Sequence, residues 1–189
     1  MSPKPKTPES ITEAVSRKRE AIVSAARTDK AAALSPYYGE ALLTMEQYLR
    51  SQGKRCTVER RFVLQTLYRL TSPIDISALH QLVCDQCGSV ALTTVYNTLE
   101  LLVQLRLAKR LPLVSHGMTF FEATLGQEPH GYAICEGCGA IRVLHKPDVF
   151  QLIQGQLPRG FRPDDVTLHV HGLCGKCQRA RSRKRQSKK

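Results

Sequence analysis

The sequence lacks any run of about 18 consecutive apolar residues, which argues against a membrane-spanning helix. Residues 1–20 also lack the apolar middle of a secretory signal peptide, so we expect a cytoplasmic protein with reduced thiols and no membrane partner. Acidic residues are absent from 178–189, which hold seven Lys or Arg. Because this segment carries much of the net charge of +12, the basic composition alone does not indicate nucleic-acid binding.

Cysteine, by contrast, is well represented, and four of the seven cysteines form two Cys-x-x-Cys pairs, Cys135 with Cys138 and Cys174 with Cys177. Four thiolates suit a tetrahedral structural zinc ion. Residues 139–173 separate the pairs by more than the roughly 15–20 residues of a compact zinc ribbon, so the spacing predicts a small domain between them. A disulfide framework is the alternative. A closed four-sulphur site has no open coordination position, so we predict no enzyme.

Residues 37–125 show the periodicity of a winged helix-turn-helix unit. The predicted elements are a helix over 39–52, a second helix capped by Thr57, a third capped by Ser77, and a fourth that is capped by Thr93 or Thr94 and runs to Gln104. Two strands follow over 107–114 and 118–125, joined at 115–117. The order of three helices, a recognition helix and a hairpin indicates duplex DNA as the partner.

The recognition helix has one apolar face and one polar face. The apolar residues are Val95, Leu99, Leu102 and Val103, and the polar face holds Thr93, Tyr96, Asn97, Glu100 and Gln104. The ring of Tyr96 can pack against thymine methyl groups. Thr93, Thr94 and Asn97 can donate to phosphates or bases, and Arg60 can hold a phosphate.

We divide the chain into four segments. We expect a flexible arm over 1–36, the DNA-binding unit over 37–125, a second domain over 126–177 and a disordered basic tail over 178–189. In the second domain the predicted elements are strands over 132–135, 140–144 and 166–171 and a helix over 147–156.

At this point the sequence resembles the ferric uptake regulator family of dimeric, metal-dependent repressors. The matching motifs are Thr57-Val58-Glu59-Arg60, Leu92-Thr93-Thr94-Val95-Tyr96-Asn97-Thr98-Leu99, Phe121-Glu122, His130-x-x-x-x-Cys135-x-x-Cys138-Gly139 and Gly172-x-Cys174-x-x-Cys177. The resemblance implies a homodimer joined through an α/β C-terminal domain, and palindromic A·T-rich operators. It also implies that Arg55 enters the minor groove. Asn97 stands where most relatives have Arg.

The family's regulatory metal site is only partly present. Its positions correspond to Asp75, Glu122, His130, Tyr132 and Val143, of which only Glu122 and His130 match. A second family site would map onto Pro129, Gly131 and Val166, none of which binds metal through its side chain.

Other residues are candidates for sensing. His169 and His171 lie on one side of a predicted strand, with His145 nearby. They either bind one metal ion together or are ordinary strand histidines. Cys84 and Cys87 form a third Cys-x-x-Cys, predicted in the turn before the recognition helix, and are either a redox switch, a haem or metal contact, or inert.

The sequence therefore predicts an α+β DNA-binding regulator that responds to ferrous iron, a second zinc ion, haem or a redox signal. Two alternatives are a thiol-redox protein and a zinc-ribbon module that binds RNA or protein without an effector.

Overall fold

A winged helix-turn-helix unit forms the first half of the chain in the computed structural model, which describes residues 33–115, 118–145, 147–163 and 166–186. Its described elements are α1 (Tyr38–Ser51), α2 (Val58–Leu67), β1 (Ile74–Asp75), α3 (Ile76–Cys87), α4 (Leu92–Gln104), β2 (Ala108–Ser115) and β3 (Met118–Ala123). The strands form an antiparallel sheet in the order β1-β3-β2. The predicted winged helix is confirmed, and the tip of its hairpin at 116–117 lies outside the described residues.

Side chains determine where α2 and α3 begin. Thr57 caps α2 as predicted, since its hydroxyl accepts the Arg60 N–H at 3.5 Å. The predicted cap of α3 by Ser77 is wrong. Asp75 Oδ1 accepts the N–H groups of Ser77 and Ala78 at 2.9 and 3.1 Å. A carboxylate complements the positive end of the helix dipole better than a neutral hydroxyl does, and the helix starts at the earlier residue.

The start of α4 also differs from the prediction that Thr93 or Thr94 caps it. The helix follows Ala91, which makes no side-chain cap hydrogen bond. Both threonines therefore lie in the first turn, and the Thr94 carbonyl accepts the hydroxyl of Thr98 at 2.7 Å. This earlier start leaves Thr93 exposed on the outer face of the helix.

The core of the winged-helix unit consists of the apolar faces of its helices packed on the sheet. Met45, Leu64, Val95, Leu99 and Leu102 are among its fully buried side chains. The predicted apolar face of the recognition helix is buried apart from Val103, which is half-buried. None of the described helices has the length and apolar composition needed to span a bilayer.

The second half of the chain builds a three-stranded sheet with two helices. The described elements are β4 (Gly131–Cys135), β5 (Ile141–Leu144), α5 (Pro147–Gly155), β6 (Leu168–Gly172) and α6 (Gly175–Gln186). β4 is central, antiparallel to β5 and parallel to β6. These elements confirm the predicted α+β class.

The ends of the chain differ in part from the predicted arm and tail. Residues 1–32 lie outside the described residues, but Leu34 packs against the core and the Ser35 N–H donates to the Tyr68 carbonyl at 3.2 Å. The predicted disordered tail is helical up to Gln186. The helix starts at the second Cys-x-x-Cys pair, where Gln178 Nε2 donates to a carbonyl, and Arg, Lys, Gln and Ala favour its continuation.

An apolar cluster joins the wing to the second sheet. Leu111 of β2 and Phe120 of β3 pack against Tyr132 and Ile134 of β4, and all four side chains are at most 3% exposed. The two halves of the chain therefore meet directly through strands β2, β3 and β4.

Gly126 lies in the connection between the two halves, at a position that does not accommodate a side chain. Its φ is +74°, and a Cβ atom there would lie 2.0 Å from the Tyr37 ring. We expect Gly126→Ala to lower the free energy of unfolding by at least about 1 kcal/mol, because L-residues disfavour positive φ. Gly39→Ala, in α1 with nothing within 4 Å, is the control and should be neutral or stabilising. Chemical denaturation measures both, and equal stability of the two variants would contradict the prediction.

Candidate metal centre and nucleic-acid interface

The four cysteines of the two C-terminal pairs converge on one point. Cys135 ends β4, Cys138 follows in the turn, and Cys174 and Cys177 flank the start of α6. Their Sγ atoms all lie within 4.8 Å of one another, and the Cys174 N–H donates to Cys135 Sγ at 3.1 Å. Gly137 makes room for this approach, since a Cβ there would lie 2.9 Å from Cys177 Sγ.

The four thiols differ in acidity. Burial raises the pKa of Cys135, but N–H groups of Cys174 and Cys138 donate to its sulphur, and the net result is a pKa of about 6. The Cys177 N–H lowers the pKa of Cys174. Burial raises the pKa of Cys138 and of Cys177. The four thiols therefore do not all ionise at one pH when no metal is bound. A divalent cation would allow all four to become thiolates.

This donor set fits zinc. Zinc–sulphur bonds of about 2.3 Å in a tetrahedron place the sulphurs about 3.8 Å apart, and Cys138 and Cys174 Sγ are 3.7 Å apart. All seven cysteines fall within the described residues and none forms a disulfide, which argues against the disulfide framework. A zinc ion held here would tie the end of β4 to the start of α6.

A second cluster lies between the wing and β4, and we call Lys109, Glu122, His130 and Tyr132 the hinge network. Lys109 and Glu122 are cross-strand partners on β2 and β3. Lys109 Nζ lies 2.9 Å and His130 Nε2 lies 3.0 Å from the same oxygen, Glu122 Oε1. These contacts are ion pairs by distance, without the angles of directed hydrogen bonds. The Lys109 ammonium group also lies 5.7 Å from the centre of the Tyr132 ring.

Both ring nitrogens of His130 are engaged. Nδ1 lies 2.7 Å from the Glu128 carbonyl oxygen, which only accepts, so Nδ1 carries a hydrogen. Nε2 lies 2.9 Å from the Tyr132 hydroxyl. His130, Tyr132 and Glu122 are all at least nine-tenths buried.

The other candidate regulatory ligands do not complete a metal site with Glu122 and His130. Within the described ranges, only the four cysteines bring three or more Cys, His, Asp or Glu ligand atoms within 4.8 Å of one another. Asp75 is instead the cap of α3. His169 contacts the Tyr132 ring edge-on, with centroids 5.8 Å apart, and burial, His171 and Lys109 together lower its pKa. His171 and His145 are exposed, and the rings of His169 and His171 are 6.4 Å apart.

The outer face of α4 presents the predicted DNA-reading side chains. Tyr96 is 49% exposed, Thr93 and Asn97 are exposed, and Thr94 is half-buried. Glu100 on the same helix forms an ion pair with Arg110 of the wing. This pair ties the recognition helix to the hairpin that follows it.

Arg60 and Asn97 share a groove of about 520 Å³ between α4 and the end of α1. Lys54, Glu100 and Gln104 also line it. Arg60 Nη1 is buried there and has no hydrogen-bond partner among the described residues. Arg55 lies on the exposed loop between α1 and α2. Arg60 thus lies beside the recognition helix, and Arg55 lies on an exposed loop outside the core.

Cys84 and Cys87 lie in the last turn of α3, which corrects their predicted place in a turn. The apolar contacts of that face extend the helix to Gly88, whose φ of +84° ends it. Cys84 Sγ is 3.5 Å from His80 Nε2, which lies 2.7 Å from the Val90 carbonyl oxygen. Burial raises the pKa of Cys87, which makes its thiol less reactive.

Sequence reasoning missed Lys109. The structure pairs Ser115 with Met118, and regular pairing from there would place Leu111 opposite Glu122. An irregularity between Leu111 and Ser115 shifts the register by two residues and brings Lys109 there instead. Pro112, which lacks a backbone N–H, lies in this segment and was the available signal.

Comparison with known proteins gives consistent results. The model of the ferric uptake regulator family matches residues 51–178. The chain is 27% identical to the peroxide-responsive repressor PerR of Staphylococcus saprophyticus over 69% of this chain and 86% of that protein. It is 26% identical to the ferric uptake regulation protein of Campylobacter jejuni over 77% and 94%. The Helicobacter pylori ferric uptake regulator structure, described as having three functional metal binding sites, matches with a TM-score of 0.61 at 19% identity, over 75% of this chain and 93% of that one.

Removing one sulphur ligand tests the cysteine cluster. We expect Cys138→Ser to reduce bound zinc from one ion per chain to near zero and to destabilise the C-terminal sheet by several kcal/mol, because zinc binding contributes directly to folding. Elemental analysis and thermal unfolding measure the two effects. Cys56→Ser, at a half-buried cysteine outside the cluster, is the control and should keep its zinc. Full zinc content in Cys138→Ser would refute the site.

The Lys109–Glu122 pair can be tested by a double-mutant cycle. Lys109→Met should lower the free energy of unfolding by about 2 kcal/mol, because it leaves a buried carboxylate without its cation. The double variant Lys109→Met/Glu122→Gln should recover more than half of that loss, and Lys109→Arg should lose little. Denaturation of the wild type, of the single variants Lys109→Met and Glu122→Gln and of the double variant measures the coupling, and purely additive losses would show that the pair does not interact.

Proposed function

The chain belongs to the ferric uptake regulator family, and on this premise we propose that it is a zinc-stabilised homodimeric transcriptional regulator that binds double-stranded DNA. The observation that carries the proposal is the outer face of α4, where an exposed aromatic side chain stands among hydroxyl and amide groups on a helix that follows a helix-turn-helix. This is the geometry with which winged helices enter a major groove.

The individual contacts belong to the same proposal. Tyr96 reads thymine methyl groups, and Thr93, Thr94 and Asn97 donate to bases or phosphates. Arg60 holds a phosphate from the groove that it lines together with Asn97. Arg55 reaches the adjacent minor groove.

The structural metal is proposed to be zinc held by Cys135, Cys138, Cys174 and Cys177. The convergence of four sulphurs supports it. Soft thiolate donors select zinc over manganese or magnesium, which prefer oxygen ligands.

Homodimer formation through the C-terminal domain is supported by its exposed apolar side chains. Leu152, Phe161 and Val170 are 69%, 60% and 48% exposed, and Val170 lies on the edge strand β6. We propose that these side chains lie in the dimer contact. A two-fold dimer would present two recognition helices, so we propose a palindromic, A·T-rich operator and a cytoplasmic site of action.

The signal is proposed to be ferrous iron, a second zinc ion, haem or a redox change. The candidate ligands are His145, His169 and His171, and the candidate redox pair is Cys84 with Cys87. The proximity of His80 to Cys84 supports a role for that thiol. Since His80 also contacts the Val90 carbonyl just before α4, a change at Cys84 would reach the recognition helix.

Tyr96→Ala tests the DNA-binding proposal. Selection from a random duplex pool should return a palindromic site that the wild type binds, and Tyr96→Ala should bind it about tenfold more weakly, a loss typical of one base contact. Leu43→Ala, at a 59% exposed apolar residue of α1, is the control and should bind normally. Fluorescence anisotropy measures the affinities. Failure to select any duplex, or a preference for single-stranded RNA, would contradict the proposal.

A further inference from the structure

We propose that the Lys109 ammonium group takes the place of a regulatory metal ion in the hinge network, so that the wing is held on the C-terminal sheet without a metal there. The inference rests on the proposed function for its regulatory meaning, although the ion network itself is independent of DNA binding. It follows from three observations on the described residues.

The first observation is the position of the charge. Lys109 Nζ lies 2.9 Å from Glu122 Oε1, the same oxygen that His130 Nε2 approaches at 3.0 Å. A metal ion bound to that oxygen at about 2.1 Å would lie no more than about 5 Å from the ammonium group. The two cations would repel each other in a site where Glu122 is only 7% exposed.

The second observation is the shortage of ligands. His130 Nε2 is already engaged by the Tyr132 hydroxyl, and Asp75 Oδ1 accepts two N–H groups at the start of α3. No described Cys, His, Asp or Glu adds a third ligand atom within 4.8 Å of both Glu122 and His130. Divalent ions of this size take four to six ligands, so a metal at Glu122 and His130 would need water for at least two of them and would bind weakly even without the ammonium group.

The third observation is that the hinge network contains residues from both halves of the chain. Lys109 and Glu122 belong to the wing, while His130 and Tyr132 belong to the sheet that carries the cysteine cluster. The apolar cluster of Leu111, Phe120, Tyr132 and Ile134 lies beside this contact. The ammonium group is therefore a permanent positive charge on the wing side of this contact, where it pairs with Glu122 and faces the Tyr132 ring of the second sheet.

This arrangement limits where a signal can act. The second position suggested by the family resemblance is also closed, because a Cβ at Gly131 would lie 3.0 Å from Leu168 Cβ. A signal must therefore act through other groups, such as His169 and His171 or Cys84, and no metal ion at Glu122 and His130 is needed to hold the wing on the second sheet.

Thermal unfolding with manganese as the probe tests the inference on the full-length, zinc-loaded protein. Manganese binds carboxylate and imidazole and does not displace zinc from thiolates. We expect excess Mn²⁺ to leave the melting temperature of the wild type and of Lys109→Arg unchanged. It should raise that of Lys109→Met by several degrees, because removal of the ammonium group frees Glu122 and His130. The rise should disappear in Lys109→Met/Glu122→Gln. Arg142→Met, which removes an exposed charge from β5, is the control and should not respond.

Two results would overturn the inference. One is a manganese-induced rise in the wild type that disappears in Glu122→Gln, because it would show a metal bound beside Lys109. The other is a Lys109→Met variant that responds no more than the wild type, because the ammonium group would then not be what excludes the metal. Neither readout involves DNA, so failure to bind any operator would count against the proposed function alone.

Discussion

The buried carboxylate of Glu122 is the group on which the arrangement of the two halves depends. A buried carboxylate requires a positive partner, which Lys109 supplies from the wing, and His130 at the start of the second sheet contacts the same oxygen. A divalent ion at the same oxygen would lie within about 5 Å of the ammonium group, where repulsion amounts to about 7 kcal/mol at an effective dielectric constant of about 20. The lysine and a metal therefore exclude each other unless the lysine leaves the site.

Strand β4 connects this constraint to the cysteine cluster. His130 precedes the strand and contacts the wing, while Cys135 ends it among the other three thiols, five residues later. One short central strand is thus fixed at one end by an ion network and at the other by the proposed zinc. If the second sheet carries the dimer contact, the orientation of both recognition helices is determined along this strand.

The sequence was sufficient for the winged helix, for the convergence of the four cysteines and for the exposed position of Tyr96, because periodicity and Cys-x-x-Cys spacing are local signals. It was not sufficient for the hinge. In the sequence Asp75 resembles a metal ligand, but in the structure it caps α3. In the sequence nothing distinguishes Lys109 from a surface lysine, but the strand irregularity near Pro112 places it opposite Glu122. The position of Lys109 depends on long-range register, which a local pattern does not encode, whereas Asp75 makes a local cap to Ser77 and Ala78 that the sequence pattern assigned to Ser77. The helix over 178–186 was missed for a related reason, since its start depends on the folded cysteine turn.

Anomalous diffraction from crystals of the zinc-loaded protein soaked in manganese tests the central claim most directly. Maps recorded at the zinc and manganese absorption edges locate each ion without reference to DNA binding. We expect a zinc peak among Cys135, Cys138, Cys174 and Cys177. We also expect continuous density for Lys109 against Glu122, with no manganese peak between Glu122 and His130. A manganese ion bound to Glu122 and His130, with the Lys109 side chain turned away, would contradict it.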